Sequence, residues 1–168
     1  MNLWVQDLKF RLHNFNKLVI MCIGNRNASD DGAGLKLADE LSTILEEKKS
    51  SKVSVIRCYE SPENFTSPVK KMKPSHILII DSCVSGKKPG TISVFDKEDL
   101  REYDIISHRI PIALLSEYLA SETGAKIIVL GIEPECIAKG TNISKPVKEA
   151  IKGIAHFFYE FIKGSNKV

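Results

Sequence analysis

Three short stretches of the chain, KLVIMCI (17–23), HILII (76–80) and KIIVL (126–130), are apolar at every position after the first. A strand with one solvated face alternates apolar and polar residues, so runs without alternation must be covered on both faces. Within one chain that demands helices above and below a sheet, and the intervening segments supply them. Leu35, Ala38, Leu41 and Leu45 predict a helix that begins near Asp30-Asp31-Gly32 and fades in the charged stretch from Glu46 to Lys49. A short helix is expected from Glu63 to Lys71, after Pro62. Ile112, Leu115, Tyr118 and Leu119 predict another, with Pro111 in its first turn and Gly124 as its stop. A last helix, from about 144 to 163, carries Val147, Ile151, Ile154, Phe158 and Phe161 on one face. Further strands are expected at Val53 to Cys58 and, beyond the turn residues Gly86 and Pro89-Gly90, at Thr91 to Phe95. The alternation predicts an α/β fold: one domain over 1–168, with a twisted, mostly parallel five-stranded sheet sandwiched between helices. Residues 1–16 add an N-terminal helix whose Trp4, Leu8, Leu12 and Phe15 are expected to lie on the same domain.

A chain of 168 residues can bury roughly 70% of its unfolded surface, enough for a core without staples. The 24 Lys and Arg against 21 Asp and Glu leave a net charge of +3 without a basic cluster, which argues against nucleic acid as partner. No apolar run approaches the ~20 residues of a membrane span, and the N-terminus lacks a secretory pattern. Cys22, Cys58, Cys83 and Cys136 are far apart and form no C-x-x-C pair, so reduced thiols and a cytoplasmic location are expected.

In open α/β sheets, function collects beyond the C-terminal ends of the strands. The loops after Ile23 and Ile80 are therefore the expected site, and both hold acids: Asp30 and Asp31 in the first, Asp81 at the head of the second. His108 stands just before the helix that follows Pro111. Two carboxylates and an imidazole, completed by water, would suit a divalent metal such as nickel, zinc or cobalt, which can polarise a carbonyl or activate water. Each residue also has a plainer role. An Asp at a helix head ordinarily caps backbone N–H groups, and Asp30 fits that description as well as any other. Asp81 is harder to dismiss, because a charge beside HILII must be solvated or paired. His76 and His156 read as structural. GNRNASDDGAG has neither a Walker ending nor G-x-G-x-x-G spacing, and no G-x-S-x-G elbow occurs. Cys83, with His108 as base, is the one nucleophile to weigh against burial as a small apolar residue.

Taken in order, the segments Gly24-Asn25 through Asp30-Asp31-Gly32-Ala33-Gly34, Ser61-Pro62-Glu63-Asn64, Ile79-Ile80-Asp81, Pro89-Gly90-Thr91, Ser107-His108 before Pro111, and Leu130-Gly131-Ile132-Glu133-Pro134 resemble the nickel-iron hydrogenase maturation endopeptidases. The likeness spans about 18 to 158, and SPEN and LGIEPE are similar to the branch serving formate-hydrogenlyase and related membrane-bound hydrogenases. About 16 residues precede the first strand, where that family usually starts almost at once. The resemblance implies an endopeptidase that removes the C-terminal extension of a hydrogenase large-subunit precursor after nickel insertion. It implies that Asp31, Asp81 and His108 bind metal and carry catalysis, with Gly24, Asn25, Asp30 and Gly32 in a substrate loop. The nickel would arrive in the precursor, with other divalent ions able to substitute in vitro, and the enzyme would act as a monomer without a membrane or nucleic-acid partner. Two other functions share these residues: a checkpoint chaperone that recognises nickel-loaded precursor without cutting it, and a Cys83/His108 thiol peptidase.

Overall fold

The computed structural model describes residues 2–101 and 111–165. Five strands, β1 (Leu18–Ile23), β2 (Val53–Tyr59), β3 (His76–Ser82), β4 (Ile92–Asp96) and β5 (Lys126–Ile132), form one sheet in the order β2-β1-β3-β5-β4. Four run parallel; β4 alone is antiparallel, on the β5 edge, with Val94 opposite Leu130. The three uninterrupted apolar runs are the three central strands: every residue of β1 and every residue but one of β3 and β5 is buried. The edge strands β2 and β4 are only half-buried, which is why their sequences mix serine and charge into the apolar pattern.

Successive residues of the central strands feed opposite cores. Leu18, Ile20, Leu78, Ile80, Ile128 and Leu130 pack beneath α2 (Ala33–Lys48) and α5 (Lys145–Ser165). Val19, Met21, Ile77, Ile79, Ile127 and Val129 meet α3 (Thr66–Lys71) and α4 (Ile112–Thr123). The expected stripes on α2 and α5 are the faces that bury. The helix expected over Glu63 to Lys71 is instead a 3-10 turn, Pro62–Phe65, running into α3. Pro68 has no N–H to return to the Asn64 carbonyl, which suits it to the first turn of an α-helix that starts at Thr66 rather than to the interior of one running on from Glu63. Pro111 precedes α4 rather than joining its first turn, and Gly124 ends α4 in the left-handed region at φ +68°.

The N-terminal helix α1 (Leu3–Arg11) lies on the α5 side of the sheet. Leu8 and Leu12 are fully buried, the Trp4 ring meets Phe157 edge-on at 5.8 Å, and Phe15 stacks on Phe161 at 5.3 Å. Arg11 pairs with Asp7 in its own helix and with Asp96 at the end of β4, fastening α1 to the sheet edge. The helix is shorter than its apolar spacing suggests, because Asn14 takes φ +60° and turns the chain before Phe15.

Where α2 meets β1, the backbones nearly touch. A Cβ on Gly34 would lie 2.1 Å from the Ile23 carbonyl oxygen. Gly34→Ala must therefore lift α2 off the strand, and is expected to cost about 3 kcal/mol or more, lowering the thermal midpoint by roughly 6–12 °C. A melting curve unchanged from the wild type would contradict that contact.

Candidate active site

The chain leaves β1 through Gly24, at φ +151°, where a Cβ would stand 2.1 Å from the Asp31 carbonyl oxygen. Only glycine allows the turn, which the Asn25 N–H completes by donating to that same oxygen at 3.1 Å. Inside the loop, the Asn25 side-chain oxygen accepts the Asn27 N–H at 2.8 Å, and the Asn25 carbonyl accepts the Ala28 N–H. A 3-10 turn, Ser29–Gly32, then leads directly into α2, so the helix begins after the Asp-Asp-Gly run rather than within it.

The two neighbouring acids in this turn have different surroundings. Asp30 is 1% exposed and accepts three backbone N–H groups, from Glu135 at 2.9 Å, Cys136 at 3.1 Å and Ser144 at 2.6 Å. Burial on its own would push this carboxyl up, but the N–H groups of Ser144, Glu135 and Cys136 outweigh it and hold the group below the usual carboxylate range. The Asp30 N–H also donates to the Cys136 carbonyl. Asp30 is thus a tie between the loop after β1 and the loop after β5, reaching the residue before α5. The polar character of Arg26 to Ser29 has the same origin. Ser29 donates its N–H to Gly140 and its hydroxyl to Ala138, Asn27 accepts from Gly140, and Arg26 grips Asp39 of α2 through both carboxylate oxygens.

Asp31 faces the sheet instead, and its Oδ1 accepts the Ser82 hydroxyl at 2.7 Å. Asp81, 1% exposed, uses its own Oδ1 to accept the Ser82 N–H at 2.8 Å. Two carboxylates from segments 50 residues apart are thereby brought to one residue at the C-terminal edge of β3. His108 lies outside the described residues. Among the described residues, no group of three or more His, Cys, Asp or Glu side chains has metal-holding geometry. Asp31 and Asp81 are therefore the part of the expected ligand set whose placement is seen, and their oxygen donors suit a divalent cation.

Two residues of this region were not singled out for chemistry in the sequence. Ser82 carries no motif of its own. Glu133, 5% exposed at the end of β5, accepts the N–H groups of Ser85 and Gly86 and the Ser85 hydroxyl, latching the loop after β3. An acid directly after an apolar strand was the signal that flagged Asp81, and it applies equally to Glu133. Cys83 is 4% exposed, and its N–H bonds the Ile132 carbonyl. Burial, then the Glu133 and Asp81 carboxylates, push its thiol up to about 11, the reverse of what a nucleophilic cysteine needs. His76 is buried at the start of β3 with its ring against Ser75, and His156 is exposed on α5, both remote from these acids.

Comparison with known proteins places the chain in a family. Residues 35–159 match the HycI family model, described as hydrogenase maturation protease. A Methanocaldococcus jannaschii protein, provisionally named a hydrogenase maturation protease, is 34% identical over 131 residues, covering 76% of this chain and 78% of the relative. The hydrogenase 3 maturation protease of Escherichia coli K12 is 31% identical over 137 residues, covering 81% and 85%. A crystal structure of a [NiFe] hydrogenase maturation protease HycI from Thermococcus kodakarensis shares the fold at a TM-score of 0.85, with 24% identity over 94% of this chain and 99% of that one.

The Asp30 tie has a consequence for stability. Asp30→Asn puts an N–H₂ group among three N–H donors and is expected to cost about 3 kcal/mol. Because the folded carboxyl sits below its unfolded value, its contribution is complete above about pH 3.9 and is lost as the pH falls through the folded value. Denaturant titrations from pH 7 to pH 2 should show a shallower acid loss in the variant than in the wild type. Parallel pH profiles would contradict the tie.

Proposed function

Because the chain belongs to the family of hydrogenase maturation proteases, and is thus a peptidase, we propose that it removes a C-terminal extension from a nickel-iron hydrogenase large-subunit precursor once nickel is in place. The observation that carries this reading is the meeting of Asp31 and Asp81 at Ser82, on the edge of the sheet where α/β enzymes bind their substrates. Two carboxylates tied to one residue at that edge offer anionic oxygen donors, which a divalent cation would neutralise. In this reading His108 completes a set of two oxygens and one nitrogen, and Gly24, Asn25, Asp30 and Gly32 shape the loop that meets the precursor.

Nickel is then part of the substrate rather than a resident cofactor. Bound, it supplies Lewis acidity toward the scissile carbonyl. The chain's own residues grip the loaded precursor by its metal and hold the peptide to be cut in a fixed place, which converts metal loading into a condition for cleavage. Four free cysteines fit a reducing compartment, and we place the protein in the cytoplasm, acting as a monomer. No helix among the described residues is long and apolar enough to cross a membrane.

The decisive experiment mixes the purified protein with nickel-loaded and nickel-free precursor and follows precursor mass. Loss of a C-terminal fragment from the loaded form alone is expected. Binding without mass loss would mean a non-cutting checkpoint, and equal cutting of both forms would remove nickel from the reaction. Asp31→Asn, Asp81→Asn and His108→Ala should each slow cutting by about 100-fold or more. Cys83→Ala, by contrast, should cut like the wild type, and alkylating reagents should leave the rate unchanged; inactivation by either would restore a thiol mechanism.

A further inference from the structure

We propose that Ser82 is a positioning residue for the candidate active site, clamping Asp31 through its hydroxyl and Asp81 through its backbone N–H so that each carboxylate is held in one orientation. The inference rests on the reading of Asp31 and Asp81 given above and adds to it a residue outside that ligand set.

Consecutive residues of a strand project to opposite sides of the sheet, so a side chain at position 82 cannot reach both acids. The two contacts solve this by using different atoms. The N–H reaches the Asp81 Oδ1 at 2.8 Å, and the hydroxyl reaches the Asp31 Oδ1 at 2.7 Å. Both are charge-assisted hydrogen bonds, the stronger kind, and each engages one oxygen of its carboxylate, which restricts the rotation of the group. Ser82 is itself well anchored. It pairs with Ile132 at the end of β5, and the next residue, Cys83, donates its N–H to the Ile132 carbonyl at 2.9 Å. The anchor continues through packing, because a Cβ on Gly131 would stand 2.6 Å from the Cys83 Cβ, so a glycine there lets Cys83 lie flat on β5.

Asp31 sits in a 3-10 turn and Asp81 at a strand end, so nothing in their local backbone aligns one with the other. The Ser82 clamp does, across 51 residues of sequence. Hydrogen bonds that orient a metal-binding carboxylate typically govern affinity or activity by 10–100-fold. Ser82 is half-buried, and its hydroxyl donates to Asp31.

The substitutions separate the two arms. Ser82→Ala removes the hydroxyl and keeps the N–H on Asp81; Ser82→Thr keeps both. We would measure kcat/KM for cutting of the nickel-loaded precursor, the affinity of the free protein for nickel ion by titration calorimetry, and the thermal midpoint without metal. Ser82→Ala is expected to lose about 10–100-fold in cutting and in nickel affinity, with its midpoint within roughly 2 °C of the wild type. Ser82→Thr should recover most of the loss. Where the free wild type binds no nickel, the cutting ratio between the two variants decides. Alanine equal to the wild type, or threonine as impaired as alanine, would overturn the positioning role. A loss in alanine that merely follows a fall in midpoint would do the same. A wild type that neither cuts nor binds would sink the reading of the site itself, and the role of Ser82 with it.

Discussion

A buried carboxylate that collects N–H groups from three distant residues is the interaction on which the rest of the molecule turns. Asp30 lies in the loop after β1, and its donors lie in the loop after β5 and at the residue before α5. Backbone N–H groups at that depth must be satisfied, and an anion buried at that depth must be solvated by something other than water. Each need is met by the other. The result joins the loops after β1 and β5, seats α5 beside α2, and holds the turn that carries Asp31 above the end of β3.

Four acids at the C-terminal edge of one sheet therefore have different partners. Asp30 binds backbone and joins loops. Glu133 binds backbone and hydroxyl and latches the loop after β3. Asp31 and Asp81 each take one hydrogen bond from Ser82, from its hydroxyl and its N–H respectively. A carboxylate saturated by backbone N–H groups, as Asp30 is, is held as a structural anion. Burial beside the Glu133 and Asp81 carboxylates favours the Cys83 thiol over its thiolate.

The scaffold makes this concentration of acids tolerable. The central strands are covered on both faces, so the sheet offers little beyond its ends for contact with another molecule. Glycines at 24 and 34 let the first loop and α2 fold tightly against the end of β1, at distances that any side chain would forbid. The N-terminal helix joins the α5 side of the sheet through Trp4, Leu8 and Leu12, and its ion pair with Asp96 closes over the β4 edge.

By itself the sequence determined the class of fold, since uninterrupted apolar runs and 3.6-residue stripes are local properties that survive without knowledge of partners. It also pointed to the strand ends and to Asp81, because an acid beside an apolar run is a local anomaly, whereas Asp31 was marked out by its place in the loop after the first strand and by the family resemblance. Local pattern was less exact where a single residue overrode it: Pro68 split a helix, Asn14 shortened another, and the 3-10 turn delayed α2 to Ala33. Only the tertiary structure decided the strand order, the antiparallel edge of β4, the different hydrogen-bond partners of Asp30 and Asp31, and the contacts of Ser82 and Glu133. Those depend on which donors meet which carboxylates across 47 to 114 residues of chain. No periodicity encodes such a meeting, because it exists only after the sheet has assembled.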